Sequence, residues 1–99
     1  MPKVALIVEF KLKPGGHAAF DAIIRDHAAG TLADEPGCER FEVLQPKGKE
    51  GPDTSRVMLC EVYADDAAFQ AHTQNPRLAR TRAAYETLIE DRIIHICAL

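Results

Sequence analysis

The sequence has no apolar run that approaches the roughly 20 residues needed for a membrane-spanning helix. Its longest early apolar stretch, Val4-Ala5-Leu6-Ile7-Val8, is short and lacks the small-residue cleavage site of a signal peptide. Positive charge is also scarce, with 12 Lys and Arg against 15 Asp and Glu and a net charge of −3. A face that binds phosphates needs an excess of Lys and Arg. We therefore expect no membrane partner, no nucleic-acid partner and a cytoplasmic location.

Cysteine is rare, and catalytic motifs with a fixed spacing are absent. Cys38, Cys60 and Cys97 are an odd number at wide spacing, which gives neither a disulfide framework nor a zinc pattern. We expect buried free thiols in a reducing compartment. The sequence contains no GxSxG, no phosphate-binding Gly loop, no HExxH and no EF-hand loop. These absences exclude the enzymes that depend on such motifs.

What is present fits one globular domain over residues 1–99. The chain is 46% hydrophobic and 27% charged, an ordinary balance for a folded protein. A chain of this length has room for one core and no more.

The spacing of apolar residues predicts a β-α-β-β-α-α-β order. Strands are predicted over residues 4–11, 41–44, 56–63 and 93–98, and helices are predicted to begin at His17, at Asp65-Asp66 and at Asn75-Pro76. The third helix is expected to carry Tyr85, Leu88 and Ile89, and a polar loop is expected over residues 46–55. This order is typical of the ferredoxin-like α+β fold, with an antiparallel four-stranded sheet.

The first and last strands predict a homodimer. Strand 1 is apolar on both faces, with Leu6 and Val8 on one side and Ala5 and Ile7 on the other. Helices from one chain cover only one face of such a sheet, and a soluble monomer rarely exposes a large apolar patch. Packing the second face on a symmetry mate solves this problem. The alternative is a monomer whose open face holds an apolar ligand.

Polar side chains in apolar segments are the candidate catalytic residues. His27 lies on the apolar stripe of the first helix, and Glu61 lies within an apolar strand. His72 ends the second helix. If Glu61 and His72 converge, the carboxylate would orient one ring nitrogen and leave the other as a base.

Each of these residues also has a structural interpretation. His27 could be a core histidine with its polar atoms satisfied, Glu61 an inward charge that fixes strand pairing, and His72 a helix cap. His17 is expected to be solvated and His95 to lie in the core or an interface. No H-x-H or H-x-x-x-H pair occurs, so we expect no metal site.

Several features in this order resemble the antibiotic-biosynthesis monooxygenase (ABM) superfamily of dimeric α+β barrels. They are His27, Glu35-Pro36-Gly37-Cys38, Phe41-Glu42-Val43-Leu44, Glu61-Val62-Tyr63-Ala64-Asp65, Ala68, His72 and Asn75-Pro76. Within this superfamily the chain is most similar to the short quinol monooxygenases and to the enzyme that processes the phosphorylated autoinducer-2 signal. The similarity spans nearly the whole chain.

The resemblance implies a cavity between sheet and helices in which a small quinol or phenol is oxidised by O2 without a cofactor. It makes His72 and His27 candidate bases, Glu61 an orienting carboxylate, and Tyr63, Phe41 and Phe69 candidate walls of the substrate pocket. The chain has no Trp, whereas the haem-degrading relatives rely on one, so haem degradation is not expected.

Two other functions remain open. The same histidines could move a proton between carbon atoms without O2, as in an isomerase or a signal-processing enzyme. The chain could also be a non-catalytic module that binds a small ligand. Arg77, Arg80 and Arg82 lie on one helix, where they could bind a phosphorylated substrate or form a solvated face.

Overall fold

The computed structural model describes residues 2–99. The strands of the main sheet are β1 (Val4–Leu12), β2 (Cys38–Leu44), β5 (Arg56–Tyr63) and β6 (Ile89–Ala98), and the helices are α1 (His17–Asp34), α2 (Asp66–Gln74) and α3 (Pro76–Tyr85). The sheet order is β2-β5-β1-β6, and every neighbouring pair is antiparallel. This arrangement confirms the predicted ferredoxin-like α+β fold. Within residues 2–99, none of the helices combines the length and apolar character needed to cross a membrane.

The core lies between the helices and one face of the sheet. Alternate residues of β1 point into it, and Leu6, Val8 and Phe10 are all buried. Phe10 packs against Phe20 of α1 and Tyr85 of α3, with ring centroids 4.8 and 5.4 Å away. This aromatic cluster joins α1 and α3 to the centre of the sheet.

The helix starts follow from local hydrogen bonds that the sequence encodes. Asp65 caps α2, and its carboxylate accepts a 2.8 Å hydrogen bond from the amide of Ala68. Asn75 caps α3, accepting a 2.9 Å bond from the amide of Arg77, and Pro76 occupies the first helical position. Both starts agree with the prediction.

Three segments differ from the prediction. Helix α3 ends at Tyr85, so Leu88 lies in the turn that follows and Ile89 begins β6. The second strand begins earlier than predicted, at Cys38. The predicted loop over residues 46–55 contains two short paired strands, β3 (Lys47–Gly48) and β4 (Gly51–Pro52).

The cysteines and His95 also depart in part from expectation. Cys38 is buried, but Cys60 is only partly buried and Cys97 is exposed. His95 is exposed on the sheet, where its Nε2 lies 3.0 Å from Glu9 Oε2, so it is not a core residue. His17 is half-buried, with Nε2 2.7 Å from Gln45 Oε1.

Strand β6 is exposed along nearly its whole length. Ile94 and Ile96 pair with Val8 and Leu6 and so face the helix side, yet they are 38% and 61% exposed. Ile93, on the opposite face, is 48% exposed. The helices therefore cover β1, β2 and β5 but leave the β6 edge open.

Candidate functional site

A cavity of about 230 Å³ lies between the helix-facing side of the sheet and the three helices. All four strands of the main sheet and all three helices contribute to its walls. Most of the lining is apolar. The ionisable exceptions are His27, His72, Glu61, Arg82, Arg92 and Tyr85.

His72 lies between two carboxylates at the wall of this cavity. Its Nδ1 is 3.0 and 3.2 Å from the two carboxylate oxygens of Glu35. Its Nε2 is 3.9 Å from Glu61 Oε1, which is too long for a hydrogen bond. An ionised carboxylate only accepts, so the Glu35 contact places a proton on Nδ1 and leaves Nε2 as the proton acceptor.

The carboxylate within hydrogen-bond distance of His72 is that of Glu35, whereas Glu61, the orienting carboxylate that the sequence predicts, lies 3.9 Å from Nε2. Glu35 follows the last residue of α1. Its Oε2 also accepts a 3.2 Å hydrogen bond from Nδ2 of the Asn75 side chain. Since Asn75 also caps α3, one residue both starts a helix and holds the carboxylate beside His72. In the sequence, Glu35 belongs to the Glu35-Pro36-Gly37-Cys38 segment of the family resemblance, which assigns no role to its side chain.

A close backbone approach brings Glu35 to α2. A Cβ atom added to Gly37 would lie 2.5 Å from the Ala68 Cβ, so glycine is required where the segment after α1 touches α2. The Gly37 carbonyl accepts a 2.9 Å hydrogen bond from Ala64, which fixes the segment to the end of β5.

Glu61 is buried and its pKa is raised to about 7, chiefly because burial penalises the charged carboxylate. In the sheet it lies beside Leu6 and Phe41, which supply no polar partner. Tyr63 donates a 2.6 Å hydrogen bond to its Oε1 and partly opposes this rise in pKa. Glu61 is thus poised to exchange a proton near neutral pH.

Tyr63 supports Glu61 and does not line the cavity. Its side chain is fully buried, and burial followed by the nearby Glu61 charge strongly raises its pKa, so the phenol keeps its proton and donates it. The ring lies 5.0 Å from the His72 ring and 5.6 Å from that of Phe69. Phe69 and Phe41, the other two predicted wall residues, do line the cavity.

His27 is held neutral in the same cavity wall. Burial, and then the charge of His72, lowers its pKa to about 4. Its Nδ1 is 3.0 Å from the Thr81 hydroxyl, and its ring meets Phe41 edge to face at 5.3 Å. The His27 and His72 ring centroids are 5.8 Å apart. The cavity wall therefore brings together both predicted histidines and Glu61.

Within residues 2–99, no group of three or more His, Cys, Asp or Glu side chains is arranged to hold a metal ion. The polar groups at this end of the cavity have the protonation properties that proton transfer requires. They are one oriented imidazole, one carboxyl group that titrates near pH 7 and one neutral imidazole.

A family model described as antibiotic biosynthesis monooxygenase matches residues 3–84. The chain belongs to this family. A comparison with curated proteins gave no match. The matched range contains both cavity histidines, His27 and His72. The family is named for a monooxygenase activity.

Solved structures show the same ABM fold. A protein from Caulobacter crescentus, named as a candidate antibiotic biosynthesis monooxygenase, has a TM-score of 0.90 at 21% identity, covering 99% of this chain and 90% of that one. A protein from Pseudomonas aeruginosa has a TM-score of 0.86 at 22% identity, covering 100% of this chain and 95% of that one. A protein of unknown function from Nitrosomonas europaea has a TM-score of 0.82 at 27% identity, covering 100% of this chain and 90% of that one.

Proposed function

We propose that this ABM-family chain is a cofactor-independent monooxygenase that oxidises a small phenol or quinol with O2. The observation that carries the proposal is His72, which lines an apolar cavity with its Nδ1 held by Glu35, while its Nε2 makes no hydrogen bond within residues 2–99. A cavity of about 150 Å³ holds benzene, so about 230 Å³ suits one substituted ring.

The reaction begins with removal of the phenolic proton by Nε2 of His72. The resulting phenolate is electron-rich and passes electrons to O2. A C–O bond then forms at a ring carbon ortho or para to the phenolic oxygen, and the ring hydrogen at that carbon is lost as a proton as the O–O bond breaks. One oxygen atom remains as a quinone carbonyl, and the other leaves as water with the two protons released. The substrate thus supplies the four electrons that reduce O2.

Each polar group has a place in this scheme. Glu35 stabilises the imidazolium that forms when His72 takes the proton. Glu61, with a pKa of about 7, is the group best suited to return a proton to the departing oxygen. His27, held neutral, hydrogen-bonds the substrate without adding a charge that would repel a protonated His72.

The active form proposed is a homodimer joined through the open sheet faces. The face away from the helices carries Ile7 between Cys60 and His95, and Ile93 beside Glu9. This face combines apolar side chains such as Ile7 and Ile93 with charged ones such as Glu9 and Arg56, which form a salt bridge at 3.5 Å. Its apolar part suits burial against a second copy.

An isomerase is the second candidate, supported by the coexistence of a base and an acid near pH 7. His72 Nε2 and Glu61 could remove and return a proton at different carbons without O2. Oxygen dependence separates this reaction from oxygenation.

The decisive test is oxygen uptake by metal-stripped protein with hydroquinone and catechol, each corrected for autoxidation without protein. We expect uptake that falls at least about 100-fold in His72→Ala, since a general base contributes this much or more. His17→Ala, which removes a histidine outside the cavity, should keep wild-type uptake. Uptake equal to autoxidation on every substrate would reject the oxygenase, and equal rates in wild type and His72→Ala would reject His72 as the base.

A further inference from the structure

Two arginines face the open side of the cavity. Arg82 of α3 and Arg92 of β6 both line it, and both are solvent-exposed. They are the only Lys or Arg side chains among the cavity-lining residues. The rest of this open side is apolar, formed in part by the exposed Ile94 and Ile96.

These two arginines lack the carboxylate partners that most other arginines in the chain have. Arg25, Arg40, Arg56 and Arg77 each form a salt bridge to Asp or Glu. Within residues 2–99, Arg82 and Arg92 form none, although acidic side chains outnumber basic ones over the whole sequence. Two guanidinium groups therefore stand at the cavity without a salt bridge, and the charge of Arg82 reaches Glu61, where it partly opposes the rise in the pKa of that carboxyl.

The guanidinium of Arg92 is held in place from the cavity wall. Its Nη1 donates a 3.1 Å hydrogen bond to the Tyr85 hydroxyl. Tyr85 lies three residues after Arg82 on α3, so both side chains project from the same side of the helix. This contact ties Arg92 to the helix that carries Arg82, and within residues 2–99 no other side-chain hydrogen bond of the Arg92 guanidinium is formed.

The sheet register sets the separation between these arginines and the proton-transfer groups. Glu61 pairs with Leu6 of β1, and Arg92 pairs with Phe10. Four residues along a strand span about 13 Å between backbones. This interval is long enough for one aromatic ring with its hydroxyl towards Glu61 and an anionic group towards Arg92.

We propose that Arg82 and Arg92 form an anion-binding subsite, and that the substrate is a small phenol carrying an acidic group, carboxylate or phosphate, at the end opposite its hydroxyl. This assignment rests on the proposed function for the hydroxyl end of the site. Guanidinium groups present forked N–H donors that match the oxygens of both anions. The arginines select and orient the ring, and neither of them gives up or takes a proton.

The test measures binding without turnover, by calorimetry under argon. The probes are 4-hydroxybenzoate, its uncharged methyl ester and 4-hydroxyphenyl phosphate. We expect the wild-type protein to bind at least one of the two anions more tightly than the ester. The preferred anion then tells whether the site suits carboxylates or phosphates.

Variants assign this preference to the two arginines. Combining Arg82→Gln with Arg92→Gln should weaken binding of the preferred anion about tenfold or more and leave the ester unchanged. Arg80→Gln is the matched control, because Arg80 lies on α3 and has no salt bridge but does not line the cavity. Equal binding of acid and ester, or equal losses in Arg80→Gln and the double variant, would overturn the subsite.

These outcomes are separate from those of the oxygen-uptake experiment. Charge-dependent binding without oxygen uptake would leave the subsite in place and reject the oxygenase. Oxygen uptake with hydroquinone, combined with no preference for the acids, would support the oxygenase and reject the subsite.

Discussion

Glu35 Oε1 lies 3.0 Å from His72 Nδ1, although the two residues are 37 positions apart in the chain. If this contact orients the ring and stabilises its charged form, Glu35→Gln should lower kcat with hydroquinone about 100-fold while changing KM little. The amide can still accept a hydrogen bond from Nδ1, so the loss would reflect the missing charge. Steady-state oxygen uptake measures both constants.

Glu39→Gln is the matched control for this prediction. Glu39 is exposed and contacts Lys3, away from the cavity. Comparable kcat values for Glu35→Gln and Glu39→Gln would contradict the role given to Glu35.

The pH dependence of stability should contain two opposing contributions. Glu61 has a folded pKa of about 7 against an ordinary value of 4.5, so the folded state keeps a proton that the unfolded chain releases. Its contribution to stability is therefore complete below pH 4.5 and is lost as pH rises to 7. His27 has a folded pKa of about 4 against 6.5, so its contribution is lost as pH falls from 6.5 to 4.

Glu61→Gln should expose the contribution of His27. As the pH rises from 4.5 to 6.5, the unfolding free energy of the variant should change by about 2 kcal/mol more in the stabilising direction than that of the wild type. Urea denaturation at several pH values measures this difference. In His27→Gln the slope should change in the opposite direction, and parallel pH profiles for all three proteins would refute the assignment.

Gly37 should tolerate no side chain without loss of both stability and activity. In Gly37→Ala the new Cβ would meet the Ala68 Cβ, so the segment carrying Glu35 must move away from α2. We expect a loss of about 1–3 kcal/mol in unfolding free energy, typical of overpacking, together with a lower kcat. Gly48→Ala has no atom within 4 Å of its Cβ and should change neither quantity.

A charge at the open sheet face should break the proposed dimer. Ile7 lies at the centre of this face and is only partly buried in the single chain, so Ile7→Lys should leave the fold intact and shift sedimentation towards the monomer. Leu32→Lys, on the exposed surface of α1, should sediment like the wild type. A wild-type protein that sediments as a monomer would reject the dimer itself.

Local signals explain which parts of the fold could be predicted. The third long strand was placed at residues 56–63, as observed, because turn residues bound its apolar run. Asn75-Pro76 predicted a helix start because its hydrogen bond lies within three residues. The prediction of a helix over Ile89 is wrong, since Tyr85, Leu88 and Ile89 have helical spacing and short apolar runs fit either structure.

The site could be predicted only in part, because some of its contacts join segments that are far apart in the chain. Polar residues in apolar segments identified His27, Glu61 and His72, which the structure brings to one cavity wall. Glu35 precedes Pro36-Gly37, and nothing in the sequence assigns a role to its side chain. Its pairing with His72 depends on how α1 and α2 meet, which spacing along the chain does not encode.

The pairing of β1 with β6 has a consequence for biosynthesis. The first strand sits at the centre of the sheet and hydrogen-bonds to the last, so the sheet is incomplete until residues 89–98 have left the ribosome. Until then one edge of β1 is unpaired and able to join another strand. Contacts between such distant segments also slow folding. A nascent chain of this protein therefore emerges with its central strand half-paired, a state in which chaperone binding would protect it.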